Sequence, residues 1–169
     1  MLIAAVDICN TIADVLTEIQ NIIGPWPFNE YHHPMLTDDF FYRHAEIFLK
    51  SRPYKGAIQG MWRLKEHFDI VYLSARPKWA RTLTELWLKV HGFPDGKLIL
   101  TRDKAKVAKE LKVAIAIEDA PFEIDKLKEA GVTVVVKAQN YNKKYAPRFE
   151  WHELGISYWD KSSKKTHLP

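Results

Sequence analysis

Asp7, Ser74, Lys104 and the Glu118-Asp119 pair are the residues whose types and spacing could do chemistry. Each lies at or just beyond the end of a short apolar run: LIAAV before Asp7, IVYL before Ser74, LIL before Thr101-Arg102-Asp103-Lys104, and AIAI before Glu118-Asp119. A carboxylate at a strand end can attack phosphorus and form an aspartyl-phosphate. A hydroxyl directly after a strand, with backbone N–H groups alongside, can hold phosphoryl oxygens, which puts Ser74, Ala75 and Arg76 on a phosphate. Lysine is a compact point charge for a phosphate or a nucleophilic carboxylate, and arginine binds phosphate bidentately. Two adjacent acids repel unless a cation sits nearby, and oxygen ligands beside a phosphate suit Mg²⁺. Each feature alone has an ordinary reading as a helix cap, a loop start or a solvated helix end. Four in order, at strand ends that one sheet edge brings together, point to phosphoryl transfer.

The elements that must position them are legible as five near-continuous apolar runs, Leu2–Val6, Ile70–Leu73, Lys97–Leu100, Ala114–Ile117 and Val132–Val136. Such runs suit parallel strands covered on both faces. Between them Thr82–His91 aligns Leu83, Leu86, Trp87 and Val90 and stops at Gly92, while Phe122–Ala130 stops at Gly131. Asp103–Leu111 is a shorter helix opened by an aspartate cap. The alternation predicts an α/β, Rossmann-like fold with a five-stranded parallel sheet flanked by helices. Asn10 suits a left-handed turn after Asp7.

The interval from Val6 to Ile70 is far longer than a crossover needs. Ile12–Ile23 reads as one helix ended by Gly24-Pro25. A proline- and aromatic-rich stretch follows, then a helix capped by Thr37 or Asp38 and running to about Lys50. We read 15–54 as a small helical cap inserted into a core of 1–14 and 55–169. After Val136 the chain turns irregular, with Trp151 and Trp159 as anchors.

Composition sets the class. An apolar content of 47% and a charged content of 27% fit a globular protein. The apolar stretches are too short to span a membrane, and no targeting segment is evident. One cysteine rules out an internal disulfide and leads us to expect a cytoplasmic protein. The net charge of +4 is concentrated in Lys143, Lys144 and the Lys161–Lys165 tail, which reads as solvated rather than as a nucleic-acid stripe.

The order Asp7-x-x-x-Thr11, Ser74, Lys104 and Glu118-Asp119 resembles the four motifs of the haloacid dehalogenase (HAD) superfamily, and the insert resembles its C1-type cap. LILTRDKAKVAKEL followed by IAIEDAP is similar to the 5′(3′)-deoxyribonucleotidases, as are Asp14 and the closing KYAPRFEWHEL. The resemblance implies Asp7 as nucleophile, with Cys9 and Thr11 in the catalytic turn. It implies Mg²⁺ held by Asp7, the Cys9 backbone carbonyl and Asp119 with Glu118 supporting, and a phosphoryl group held by Ser74 and Lys104. Substrates would be nucleoside monophosphates, with cap aromatics Trp26, Phe28, Tyr31, Phe40, Phe41 and Tyr42 closing on the base.

One position departs from the family. The residue two after the nucleophile is there a second aspartate, which protonates the leaving oxygen; here it is Cys9. A thiol with a reference pKa of about 8.5 is a poor proton donor for this step. Losing such help costs about 10²–10⁴ in rate, roughly 3–5 kcal/mol. His32 or His33 could substitute. Two other readings stay open at this point: a site that binds nucleotide or Mg²⁺ without turnover, and a 3′-phosphatase of nucleic-acid ends. VYLSARP and AIEDAP resemble the phosphatase domain of polynucleotide kinase/phosphatases. A homodimer is compatible with the chain.

Overall fold

A strand as apolar as Leu2–Val6 loses water from both faces only inside a sheet whose crossovers are helices. The computed structural model, which describes residues 1–25 and 30–153, has that arrangement. Its strands are β1 (Leu2–Val6), β2 (Ala13–Asp14), β3 (Arg52–Pro53), β4 (Phe68–Ser74), β5 (Lys97–Leu100), β6 (Ile115–Glu118), β7 (Thr133–Lys137) and β8 (Arg148–Phe149). Its helices are α1 (Val15–Ile23), α2 (Asp38–Arg43), α3 (Ile47–Lys50), α4 (Ala57–His67), α5 (Arg81–Val90), α6 (Lys104–Glu110) and α7 (Pro121–Glu129). Six strands form one parallel sheet in the order β5-β4-β1-β6-β7-β8. The sequence predicts five. The sixth, β8, is a two-residue edge strand in which Arg148 and Phe149 register with Val136 and Lys137, too short to carry a periodic signal.

The pleat divides the core into two layers. Ala4 and Val6 of β1 and Ile70 and Tyr72 of β4 face a layer built with Met61 and Leu64 of α4 and Trp87 of α5. Ala5, Val71 and Leu73 face the opposite layer, with Ala108 of α6 and Leu127 of α7. Trp151 closes the first layer from the far end of the chain, only 2% exposed. Its ring lies so near α4 that a Cβ added at Gly60 would stand 2.4 Å from Trp151 Cε3. Gly60→Ala is therefore expected to destabilise the fold by about 1–3 kcal/mol, despite alanine's better helix propensity. A thermal melt reads this as a lowered Tm; an unchanged or higher Tm would show that the ring yields.

The insert between β1 and β4 differs from its sequence reading at both ends. Ile12–Ile23 is not one helix: Ala13 and Asp14 pair antiparallel with Pro53 and Arg52, and α1 begins only at Val15. Asp14 is instead the cap, accepting from Thr17 N at 3.2 Å and Thr17 Oγ1 at 2.7 Å. The second helix is also split. Thr37 caps α2 through Phe40 N as expected, but the chain turns at His44, whose ring packs on Phe40, before α3 brings Phe48 under Arg76. Trp26, Phe28, Trp159 and the lysine tail lie outside the described residues.

Candidate active site

Because β4, β1 and β6 are neighbours and parallel, their carboxyl ends deliver Ser74, Asp7 and Glu118 side by side. The turn after β1 reverses tightly: Ile12 N and Ala13 N both donate to Ile8 O, with Asn10 at φ 60°, the left-handed conformation expected of it. Asn10 Oδ1 accepts from Leu16 N at 2.9 Å and ties the turn to α1. The reversal carries Thr11 back to β6, where its hydroxyl donates to Asp119 Oδ1 at 2.6 Å. Lys104 opens α6, which Asp103 caps through Lys106 N.

The charges interlock. Lys104 Nζ, buried, donates to Asp7 Oδ1 at 2.6 Å and to Glu118 Oε2 at 2.7 Å. Glu118 Oε1 accepts from the N–H groups of Asp119 and Ala120, so both its oxygens are occupied within the protein. Oxygens of Asp7, Glu118 and Asp119 lie within 4.8 Å of one another. Three buried carboxylates thus face one ammonium, an excess of negative charge that fits a divalent cation and its preference for oxygen. Burial opposes the Lys104 charge, but Asp7 and Glu118 overcome it and hold the ammonium well above its ordinary range. Burial pushes Glu118 up to about 8, opposed by Lys104. Burial and the Asp7 charge push Asp119 up to about 7, opposed by hydrogen bonds from Thr11 and Tyr141. Burial also raises Cys9, so its sulfur stays a neutral thiol.

These shifts set a pH dependence. Both carboxyls take up protons in the native state at pH values where the unfolded chain has released them, so stability without metal falls as pH rises through about 7 and 8. A cation replaces those protons. The gain in Tm on adding Mg²⁺ is expected to be small at pH 6 and several-fold larger at pH 8.5. A gain independent of pH would place the ion elsewhere.

Above the carboxylates opens a chamber of about 650 Å³ lined by Asp7, Cys9, Ser74, Ala75, Arg76 and Lys104 on the sheet side. Of the cap residues read from sequence, Tyr31, His32 and Phe41 line it, as does His33, whereas Phe40 is buried inside the insert and Tyr42 is exposed against Trp79. Tyr31 meets Phe122 and Tyr141 edge-on at 5.4 and 5.2 Å, and His32 stacks on Phe122. Asp38 of α2 pairs with Arg102 across the rim. Thr11, Glu118 and Asp119 are not among the residues lining it.

Sequence reasoning missed the segment after β7. Tyr141 donates to Asp119 Oδ2, and Asn142 Nδ2 donates to Asp119 O at 2.9 Å. Gln139 Nε2 donates to Asn10 O at 2.6 Å, and Trp151 Nε1 to Thr11 O at 2.7 Å. Only Trp151 gave a signal, as a large apolar residue in an irregular stretch. The others sit in a 3₁₀ turn with no periodicity.

Comparison with solved structures places the fold. A HAD hydrolase of family IA, variant 3, from Entamoeba histolytica superposes with a TM-score of 0.58 at 15% identity, over 93% of this chain and 96% of that one. A haloacid dehalogenase-like hydrolase from Streptococcus pneumoniae gives 0.54 at 15% identity, over 80% and 84%. A protein designated "putative nucleotidase" from Oceanobacillus iheyensis is 29% identical over 119 residues, 64% of this chain and 63% of that protein. One of the same designation from Bacillus cereus is 31% identical over 119 residues, covering 65% and 63%. The chain therefore spans less than two thirds of the length of either relative. The sequence pattern of the 5′ nucleotidase, deoxy (pyrimidine), cytosolic type C proteins matches residues 5–155, and the chain belongs to that family of the HAD superfamily.

Proposed function

We propose that this protein is a Mg²⁺-dependent phosphohydrolase acting on nucleoside monophosphates through an aspartyl-phosphate on Asp7. The observation that carries the reading is the convergence of Asp7, Ser74, Lys104, Glu118 and Asp119 at one sheet edge, under a chamber walled by aromatics. Asp7 attacks phosphorus; Lys104 aligns its carboxylate and, with Ser74 and the N–H groups of Ala75 and Arg76, holds the transferring phosphoryl group. Asp7, Asp119 and the Cys9 carbonyl would hold the metal, with Glu118 supporting because its oxygens are already committed. The ion would neutralise phosphoryl charge and draw the nucleophile and substrate together. Residues 15–54 act as a cap, and Tyr31, His32 and Phe41 close on the base. The single cysteine fits work in the cytoplasm.

The test is phosphate release from a panel of deoxy- and ribonucleoside monophosphates with Mg²⁺. Release that depends on Asp7 supports the reading, and the panel ranks the bases. A folded protein that gains thermal stability from Mg²⁺ yet releases nothing above background would instead be a binding protein.

A further inference from the structure

Arg76 follows β4 by two residues and is 4% exposed. Its Nε donates to Cys9 Sγ at 3.2 Å and one terminal nitrogen donates to Thr84 Oγ1 at 3.2 Å. The other terminal nitrogen is buried with no partner. The guanidinium lies over the Phe48 ring at 4.5 Å. Among the described residues no carboxylate is within ion-pair distance of it. A buried cation with neither counter-charge nor full hydrogen bonding is costly, and an anion supplied from outside would relieve it.

Its place says which anion. Asp7, Cys9, Ser74 and Arg76 line one chamber, and Phe48 beneath Arg76 stacks on Phe41 of the same wall at 5.6 Å. On one wall, guanidinium and thiol therefore form the stretch that links the Asp7 end to Phe48 and Phe41, apart from Tyr31 and His32, which cluster with Phe122 and Tyr141 near the acids. The bond joining phosphorus to the rest of the substrate crosses that stretch.

We propose that Arg76, held against Cys9, stabilises the departing oxygen, so that turnover rises as the leaving group more readily bears negative charge: anhydrides, acyl and aryl phosphates react faster than alkyl esters, and nucleoside monophosphates, being alkyl esters, are turned over slowly. The proposal rests on the phosphoryl-transfer reading of Asp7. An Asp7 oxygen forms a bond to phosphorus as the phosphorus–oxygen bond to the leaving group breaks. The electron pair leaves on that oxygen, which accepts hydrogen bonds from the guanidinium and takes its proton afterwards from water. Water then cleaves the aspartyl-phosphate, returning Asp7 and inorganic phosphate. A cation that cannot give up a proton lowers the energy of an oxyanion but does not convert it to an alcohol, hence the preference.

The experiment is kcat/KM for a series of aryl phosphates from dinitrophenyl to phenyl, in wild type, Asp7→Asn, Arg76→Lys and Arg76→Gln. Wild type is expected to fall by about 10²-fold or more along the series, as it does without proton donation. Arg76→Gln should cost about 10²–10³-fold on phenyl phosphate, and much less on dinitrophenyl phosphate. Arg76→Lys, which keeps the charge in case the neutral variant does not fold, should steepen the series by a smaller amount. Inhibition by inorganic phosphate should weaken far less in both than turnover of phenyl phosphate does. A flat wild-type series, or an equal loss on every ester in the Arg76 variants, would overturn the proposal. If no ester gives Asp7-dependent release, the phosphoryl-transfer reading fails and takes the proposal with it.

Discussion

Asp7→Asn is expected to abolish phosphate release, by about 10⁴-fold or more, while making the metal-free protein harder to melt. The amide keeps the shape of the carboxylate but cannot attack phosphorus. Its effect on stability follows from the charge balance. Three buried carboxylates share one ammonium, and the Asp7 charge is among the causes that raise Asp119. Removing it relieves repulsion and leaves Lys104 paired with Glu118 at 2.7 Å. At pH 8 the variant should melt several degrees above wild type without Mg²⁺, and should gain much less when Mg²⁺ is added. Turnover retained in Asp7→Asn would sink the nucleophile assignment. A lower Tm would show that the Lys104 bridge outweighs the repulsion.

Lys104→Met is the most destabilising single change we expect. The side chain is 3% exposed and bridges two carboxylates, both themselves buried. Removing one partner of a buried ion pair typically costs about 3–5 kcal/mol, because a charge is left without compensation. For a domain of this size that is a Tm drop of roughly 6–20 °C. The loss carries a pH signature. Without the ammonium, Glu118 is pushed up further still, so the deficit is largest at high pH and shrinks as pH falls and that carboxyl takes up its proton. Melting curves from pH 5 to 9 check this. A deficit that does not change with pH would mean that lost packing of the lysine stem, not charge, is responsible.

The sheet and the acids at its edge were legible because both are written in local pattern. A continuous apolar run names a buried strand, and a polar residue at its end names the edge. The left-handed turn at Asn10 and the Asp103 cap were legible for the same reason, each being one residue's own preference. Ala13 and Asp14 were not, because they pair with Arg52 and Pro53, and helical periodicity in Ile12–Ile23 cannot register a partner so far along the chain. Tyr141, Asn142 and Gln139 were hidden likewise: what they do is defined by Asp119 and Asn10, not by their neighbours. Cys9 was half legible. Its sequence position marks a missing acid, but only the fold sets Arg76 on its sulfur.

The order of strands has a consequence for synthesis. β1 leaves the ribosome before both of its partners and lies inside the sheet, pairing with β4 on one edge and with β6, at Ile115–Ile117, on the other. Its partners are translated much later, on the order of ten seconds for the second at common elongation rates. LIAAV has two open edges until β4 emerges and one until β6 does, the condition under which strands pair wrongly. Asp7, the proposed nucleophile, therefore follows directly on a strand that waits long for its second native neighbour.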